Sequence, residues 1–144
     1  IIFSACEKEE GSSNNNSNNN NTIGTISDVV GVWNYIGHYD ALDNLEAFPS
    51  TAYENCELQS FITLQSDGNA TWTDYYLDDE ISGPCLSQTN AFTFTYINST
   101  TLPFVFPSSC GNPTIVLPTP TQFKIPSCNA DTGTWDGGYL LFEK

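Results

Sequence analysis

Arginine is absent from this chain. Lysine and arginine together number 3 against 17 aspartates and glutamates, for a formal net charge of −14. Phosphate backbones are bound by Lys and Arg, so the composition argues against a nucleic-acid partner. It argues equally against a domain lying flat on an anionic lipid surface; the charge reads as a solubilising surface. Histidine occurs once, at His38, so any nucleophile–histidine chemistry has to use it. No Gly-x-Ser-x-Gly elbow presents a serine. Cys-x-x-Cys is missing, and His38 lies far in sequence from every cysteine, which makes a zinc site improbable. No apolar run approaches the ~20 residues of a membrane helix. Methionine is absent as well, so Ile1-Ile2-Phe3 reads as the tail of a longer apolar segment, the way a signal sequence ends before small residues.

What is present starts with Phe3-Ser4-Ala5-Cys6. A hydrophobic residue, two small residues and a cysteine resemble a bacterial lipobox, although Phe3 stands where Leu is usual. The resemblance implies that residues 1–5 end a signal peptide and that Cys6 becomes the N-terminus and carries acyl chains such as palmitate. The membrane is then a partner through that lipid. Residues 7–21 are polar and end in an asparagine-rich run. Such a segment cannot bury apolar area to offset backbone entropy and is expected to be a disordered tether. It spans about 20 Å as a flexible coil and about 50 Å when stretched. Lys8-Glu9-Glu10 resembles the lysine-plus-two-acids signal that sends some Gram-negative lipoproteins to the exterior face of the outer membrane. The expected localisation is therefore a lipid-anchored cell-surface position.

Five cysteines divide as one plus four. With Cys6 assigned to the anchor, Cys56, Cys85, Cys110 and Cys128 form an even set in a chain that reads as exported. Two disulfides are expected in an oxidising compartment. Of the three connectivities, neighbours in sequence, Cys56–Cys85 and Cys110–Cys128, would each staple adjacent β segments.

Residues 22–144 are expected to form one β domain. Gly31-Val32-Trp33-Asn34-Tyr35-Ile36-Gly37-His38-Tyr39 alternates with period two. This puts Gly31, Trp33, Tyr35 and Tyr39 on one face and Val32, Ile36 and His38 on the other. Asp40 is read as capping a short helix in which Ala41, Leu45 and Phe48 share a face, ended by Pro49. Strands follow over residues 58–64 and 70–76, joined by a hairpin at Ser66-Asp67-Gly68-Asn69 in which Gly68 takes positive φ. Further strands are expected over 91–97, 102–106, 114–117, 122–125 and 139–142. Many short strands separated by turns predict an all-β antiparallel up-and-down barrel of about eight strands, with a sandwich as the alternative. The prolines at 103, 107, 113, 118, 120 and 126 point to frayed edges in the second half.

At this point the order of motifs resembles the bacterial lipocalin-like domain of outer-membrane lipoproteins: lipobox, polar tether, a Gly-x-Trp strand at Gly31-Val32-Trp33, a cysteine before a strand, an Asp-Gly hairpin, then a second cysteine. The likeness covers residues 30 to about 97. It implies a lipocalin-like barrel and adds fold more than activity. Lipocalins close one end by packing an Arg over that Trp. This chain has none, and Lys144 or Lys124 is the available substitute.

Candidate binding residues are aromatic. Trp72 and Tyr76 alternate with Asp74 on one strand face, and Phe92, Phe94 and Tyr96 line a face of another. In a closed sheet such a row faces inward, as core or as the wall of a ligand cavity, with core the favoured reading. Trp135 lies among small and polar residues, where an exposed indole stacks on sugar rings. His38 reads as structural. Asp78-Asp79-Glu80 reads as a charged loop tip before it reads as half of a glycosidase carboxylate pair or a calcium ligand set. Residues 129–137 carry oxygen ligands but lack the terminal Glu of an EF-hand. No catalytic residue, metal or cofactor is assigned. The reading is a lipid-anchored surface module binding a small apolar ligand or a glycan. The alternatives are a small glycan-processing hydrolase or accessory enzyme, favoured by an acid pair facing a cleft, and a structural or adhesive role, favoured by a solid barrel.

Overall fold

The computed structural model describes residues 25–79, 83–97, 101–105, 111–129 and 132–144. The elements run α1 (Ile26–Val29), β1 (Gly31–Tyr39), α2 (Thr51–Glu57), β2 (Phe61–Leu64), β3 (Asn69–Leu77), β4 (Cys85–Phe94), β5 (Thr101–Val105), β6 (Thr114–Thr119), β7 (Gln122–Asn129) and β8 (Thr134–Glu143). Each strand pairs antiparallel with the next, and β1 pairs with β8, so the sheet closes into the expected eight-strand up-and-down barrel and not into a sandwich. The Asp67-Gly68 turn joins β2 to β3. Asp67 accepts from the Asn69 backbone N–H, and Gly68 has φ 85°.

Because the strands alternate in direction, the barrel has two unlike ends. One end holds α1, the β2–β3 and β6–β7 turns and the C-terminus, and it is packed solid. Trp33, Ile62, Leu64, Phe104, Phe123 and Phe142 are buried there, with Trp33 0% exposed. The rings interlock, Trp33 with Phe123 at 4.8 Å and Phe123 with Phe142 at 5.0 Å between centroids. Each such side chain contributes roughly 2–3 kcal/mol by burial. Trp33 Nε1 donates to the Val29 carbonyl at 2.8 Å, so α1 is pinned over the closed end. Lys144 is the cation on this tryptophan. Its Nζ lies 5.5 Å from the ring centroid and donates to the carbonyls of Val30 at 2.7 Å and Asp28 at 3.0 Å. Gly31 permits this, with φ 137° and the position of a Cβ only 3.1 Å from Lys144 Cε; a side chain there would be strained in backbone and would crowd the lysine. Lys124 sits elsewhere, over the Tyr139 ring.

Four expectations are corrected. The helix read from Asp40 does not form. Asp40 Oδ1 accepts from the backbone N–H groups of Leu42 and Asn44, and Asp43 adopts φ 63°, so the chain turns back and pairs Leu45 with Tyr39. A side chain bonded to its own turn competes with the helix ladder. Helix α2 starts later, where the Ser50 hydroxyl caps the Tyr53 N–H, and Pro49 precedes this helix instead of ending one. Secondly, strict alternation fails in β1. The β1–β8 register shifts between Tyr35 and Gly37, and a one-residue slip exchanges faces. His38 therefore joins Tyr35 on the inner side, and Tyr39 stacks on Tyr139 outside, 5.2 Å apart. Thirdly, Pro118 and Pro126 sit inside β6 and β7 beside register shifts instead of marking free edges. Lastly, several strands differ in extent from the expected ones. The second strand starts at Phe61, and β4, β7 and β8 include residues 85–90, 126–129 and 134–138.

Candidate functional site

The opposite end of the barrel is hollow. A concavity of about 310 Å³ is lined by Tyr35, His38, Glu46, Phe48, Tyr53 and others, and a second of about 250 Å³ by Tyr35, Glu57, Ser60, Trp72, Asp74 and Leu140. They share Tyr35, Glu57 and Leu140, and so make one mouth between β1, β3, β8 and α2. Each wall has a local cause. The bulge in β1 brings His38 inward. The Asp40 turn returns Glu46 alongside, its N–H donating to the His38 carbonyl at 2.9 Å, and its carboxylate reaches His38 Nδ1 at 2.9 Å. Helix α2 carries Tyr53 and Glu57 over the opening and is fixed by the Cys56–Cys85 disulfide to the start of β4. That is one of the two bridges expected.

Tyr35 is the hub. It is 7% exposed, and no described residue hydrogen-bonds its hydroxyl. Burial raises its phenol well above the ordinary range, and the nearby Glu57, Tyr53, Asp74 and Glu46 push it the same way. Burial likewise raises the Glu57 carboxyl, against a hydrogen bond from Tyr53, with Asp74 adding to the rise. Burial raises Asp74 too, against a hydrogen bond from Ser60. The buried Ser60 hydroxyl accepts from the Tyr75 N–H at 2.8 Å and donates to Asp74 at 3.3 Å, which sets the Asp74 carboxyl against the cavity. His38 Nε2 is buried without a hydrogen-bond partner among the described residues, beside Gly138 and Asp136. The mouth is thus an acidic floor with aromatic and aliphatic walls, suited to holding a small molecule that is part apolar and part polar.

The aromatic candidates divide. Trp72 lines the cavity, its ring edge-on to Phe142 at 5.8 Å. Phe92 and Phe94 are 6% and 4% exposed and pack on Phe104 in the solid half, so they line neither concavity. Tyr96 packs partly buried against that core, and Tyr76 is half-buried further along β3. Trp135 is 42% exposed on β8, paired with Cys128. Cys128 is disulfide-bonded; Cys110 lies outside the described residues, as do Cys6, the tether, Glu80, Ala130 and Asp131. Among the described residues no three His, Cys, Asp or Glu side chains converge as a metal-binding set.

Sequence reasoning missed Glu46, Glu57, Ser60 and the central place of Tyr35. The available signal was Asp74, an acid alternating with Trp72 and Tyr76 on an inward face, which already implied a polar cavity wall. No described helix is long and apolar enough to cross a membrane. Compared with known proteins, the chain matches no family model, no curated protein and no solved structure.

Proposed function

We propose that this protein is a lipid-anchored surface lipoprotein whose barrel binds a small, largely apolar ligand at its open mouth. The observation that carries the binding reading is the contrast between the ends: solid around Trp33, hollow around Tyr35 and Trp72. Ligand sites are commonly such concavities, mostly apolar and with a few placed polar groups, in the mouths of barrels. The anchor rests on Phe3-Ser4-Ala5-Cys6 and the polar tether behind it. Mass spectrometry of the native N-terminal peptide checks it: acyl mass on Cys6 is expected, and wild-type protein that stays soluble and keeps residues 1–5 would refute it.

The test of the mouth is titration with the neutral dye N-phenyl-1-naphthylamine. Saturable binding is expected, weakened about ten-fold in Trp72→Ala, a change equivalent to about 1.4 kcal/mol. Absence of saturable binding to the wild type refutes the reading.

Glu57 and Asp74 in one cleft favour a second reading, a glycan-processing hydrolase, and Trp135 offers that reading an exposed stacking surface. A glycosidase pair works with one carboxyl protonated and the other ionised, their environments pushing them apart. Here burial moves both upward, which makes binding the better-supported reading.

A further inference from the structure

We infer that the mouth selects a ligand bearing a cationic nitrogen, an amphipathic amine whose ammonium group enters among Glu46, Glu57 and Asp74 while its apolar part lies against Trp72 and Leu140. The inference rests on the binding reading above and narrows it to a chemical class.

Charge is the first argument. Among the described residues three carboxylates line the two joined concavities and no lysine does; Lys124 is engaged with Asp43 and Tyr139 outside, and Lys144 caps the closed end. Glu46 is paired with His38, but an anion entering the second concavity would meet Glu57 and Asp74 with no basic residue in its described lining. The net charge of −14 raises the local concentration of cations around the whole domain, and a cleft with low-dielectric walls focuses that field.

Tyr35 supplies the second, independent argument. Its side chain is covered, but its hydroxyl makes no hydrogen bond to a described residue and is not among the buried atoms lacking a partner, so it opens into the mouth, where it can accept from a ligand. Tyr35 lines the same concavities as Glu46, Glu57 and Asp74. An ammonium group brings several N–H donors. Two reach carboxylates as charge-assisted hydrogen bonds, which are short and strong, and another reaches the lone pairs of the Tyr35 oxygen. The same charge offsets the cost of holding Glu57 and Asp74 partly out of water, where an unpaired carboxylate is unfavourable.

Shape gives the third. The apolar wall of Trp72 and Leu140 lies in the same cavity as Glu57 and Asp74, so a ligand with charge at one end and hydrocarbon at the other satisfies both surfaces at once. The indole face adds attraction for a nearby cation.

The test compares three probes with one octyl tail, n-octylammonium, n-octanol and n-octanoate, titrated at neutral pH and followed by tryptophan fluorescence. The ammonium is expected to bind at least about ten-fold more tightly than the alcohol, and the carboxylate more weakly than either. Glu57→Gln and Asp74→Asn, isosteric and checked for folding by thermal melts, are each expected to weaken the ammonium by about ten-fold and leave the alcohol unchanged. Equal affinity for alcohol and ammonium, or for octanoate and ammonium, overturns the inference while leaving the mouth as a binding site. Variants that bind the ammonium as the wild type does overturn it as well. Failure of all three probes to bind overturns both this inference and the binding reading beneath it.

Discussion

Cutting the Cys56–Cys85 bridge isolates what holds α2 over the mouth. Cys85 is exposed and Cys56 only 2% exposed, so Cys85→Ser removes the cross-link and leaves the buried sulfur packed where it is. The bridge joins residues separated by 29 positions. Restricting the unfolded chain over a loop of that length is worth about 3.6 kcal/mol at 25 °C. For the 107 described residues the unfolding entropy near the midpoint is roughly 0.22 kcal/mol per kelvin, so Tm should fall by about 16 °C. Urea unfolding followed by tryptophan fluorescence gives the free energy directly, and the slope reports how far the unfolded chain expands once the cross-link is cut. Loss of the bridge also frees α2, with Tyr53 and Glu57, so binding of the octyl probes should weaken more than the loss of stability alone explains. A Cys85→Ser protein that unfolds within about 0.5 kcal/mol of the wild type would refute the reasoning, because the loop-entropy model puts the effect at several times that.

Two further outcomes are expected. Asp74 and Glu57 have raised folded-state values, so they contribute stability that is present below the ordinary carboxylate range and is lost as pH rises through the raised values. Asp74→Asn should therefore melt above the wild type at pH 7, with the gap closing toward pH 4; a gap that widens on acidification contradicts the sign. Trp33→Ala and Phe94→Ala, both in the solid half, should each cost about 3–5 kcal/mol, and Trp72→Ala, beside an existing void, distinctly less; equal losses in urea unfolding would mean that the mouth is filled.

The barrel was legible because its signals are local. Period-two alternation marked β1 through Trp33 and Tyr35, and Asp67-Gly68 marked a turn whose chemistry does not depend on the rest of the chain. The site was less legible because it depends on long-range register. Nothing around Ile36 announces a bulge, which appears only when β1 is laid against β8, and without it His38 is assigned to the wrong face. Residues 40–48 have helical spacing, but the Asp40 side chain satisfies its own turn, so Glu46 was not seen as a neighbour of His38. The first half of β4, Leu86-Ser87-Gln88-Thr89-Asn90, is exposed on both faces and so lacks the alternation that identifies a half-buried strand. Prolines in a sequence point to fraying, but Pro118 and Pro126 coincide with register shifts that absorb the missing N–H.

The direction of β1 has a consequence for how the molecule is presented. The strand enters at the Trp33 end and leaves at the mouth, and its nine residues, Gly31–Tyr39, rise about 30 Å, or roughly 20 Å along the axis of a tilted barrel. If the proposed anchor at Cys6 holds, the tether joins the domain at its sealed base, and the cavity opens at the end away from the point of attachment. Its contents would arrive from the surrounding medium, and a ligand dissolved in the membrane would have to leave the bilayer before it could enter.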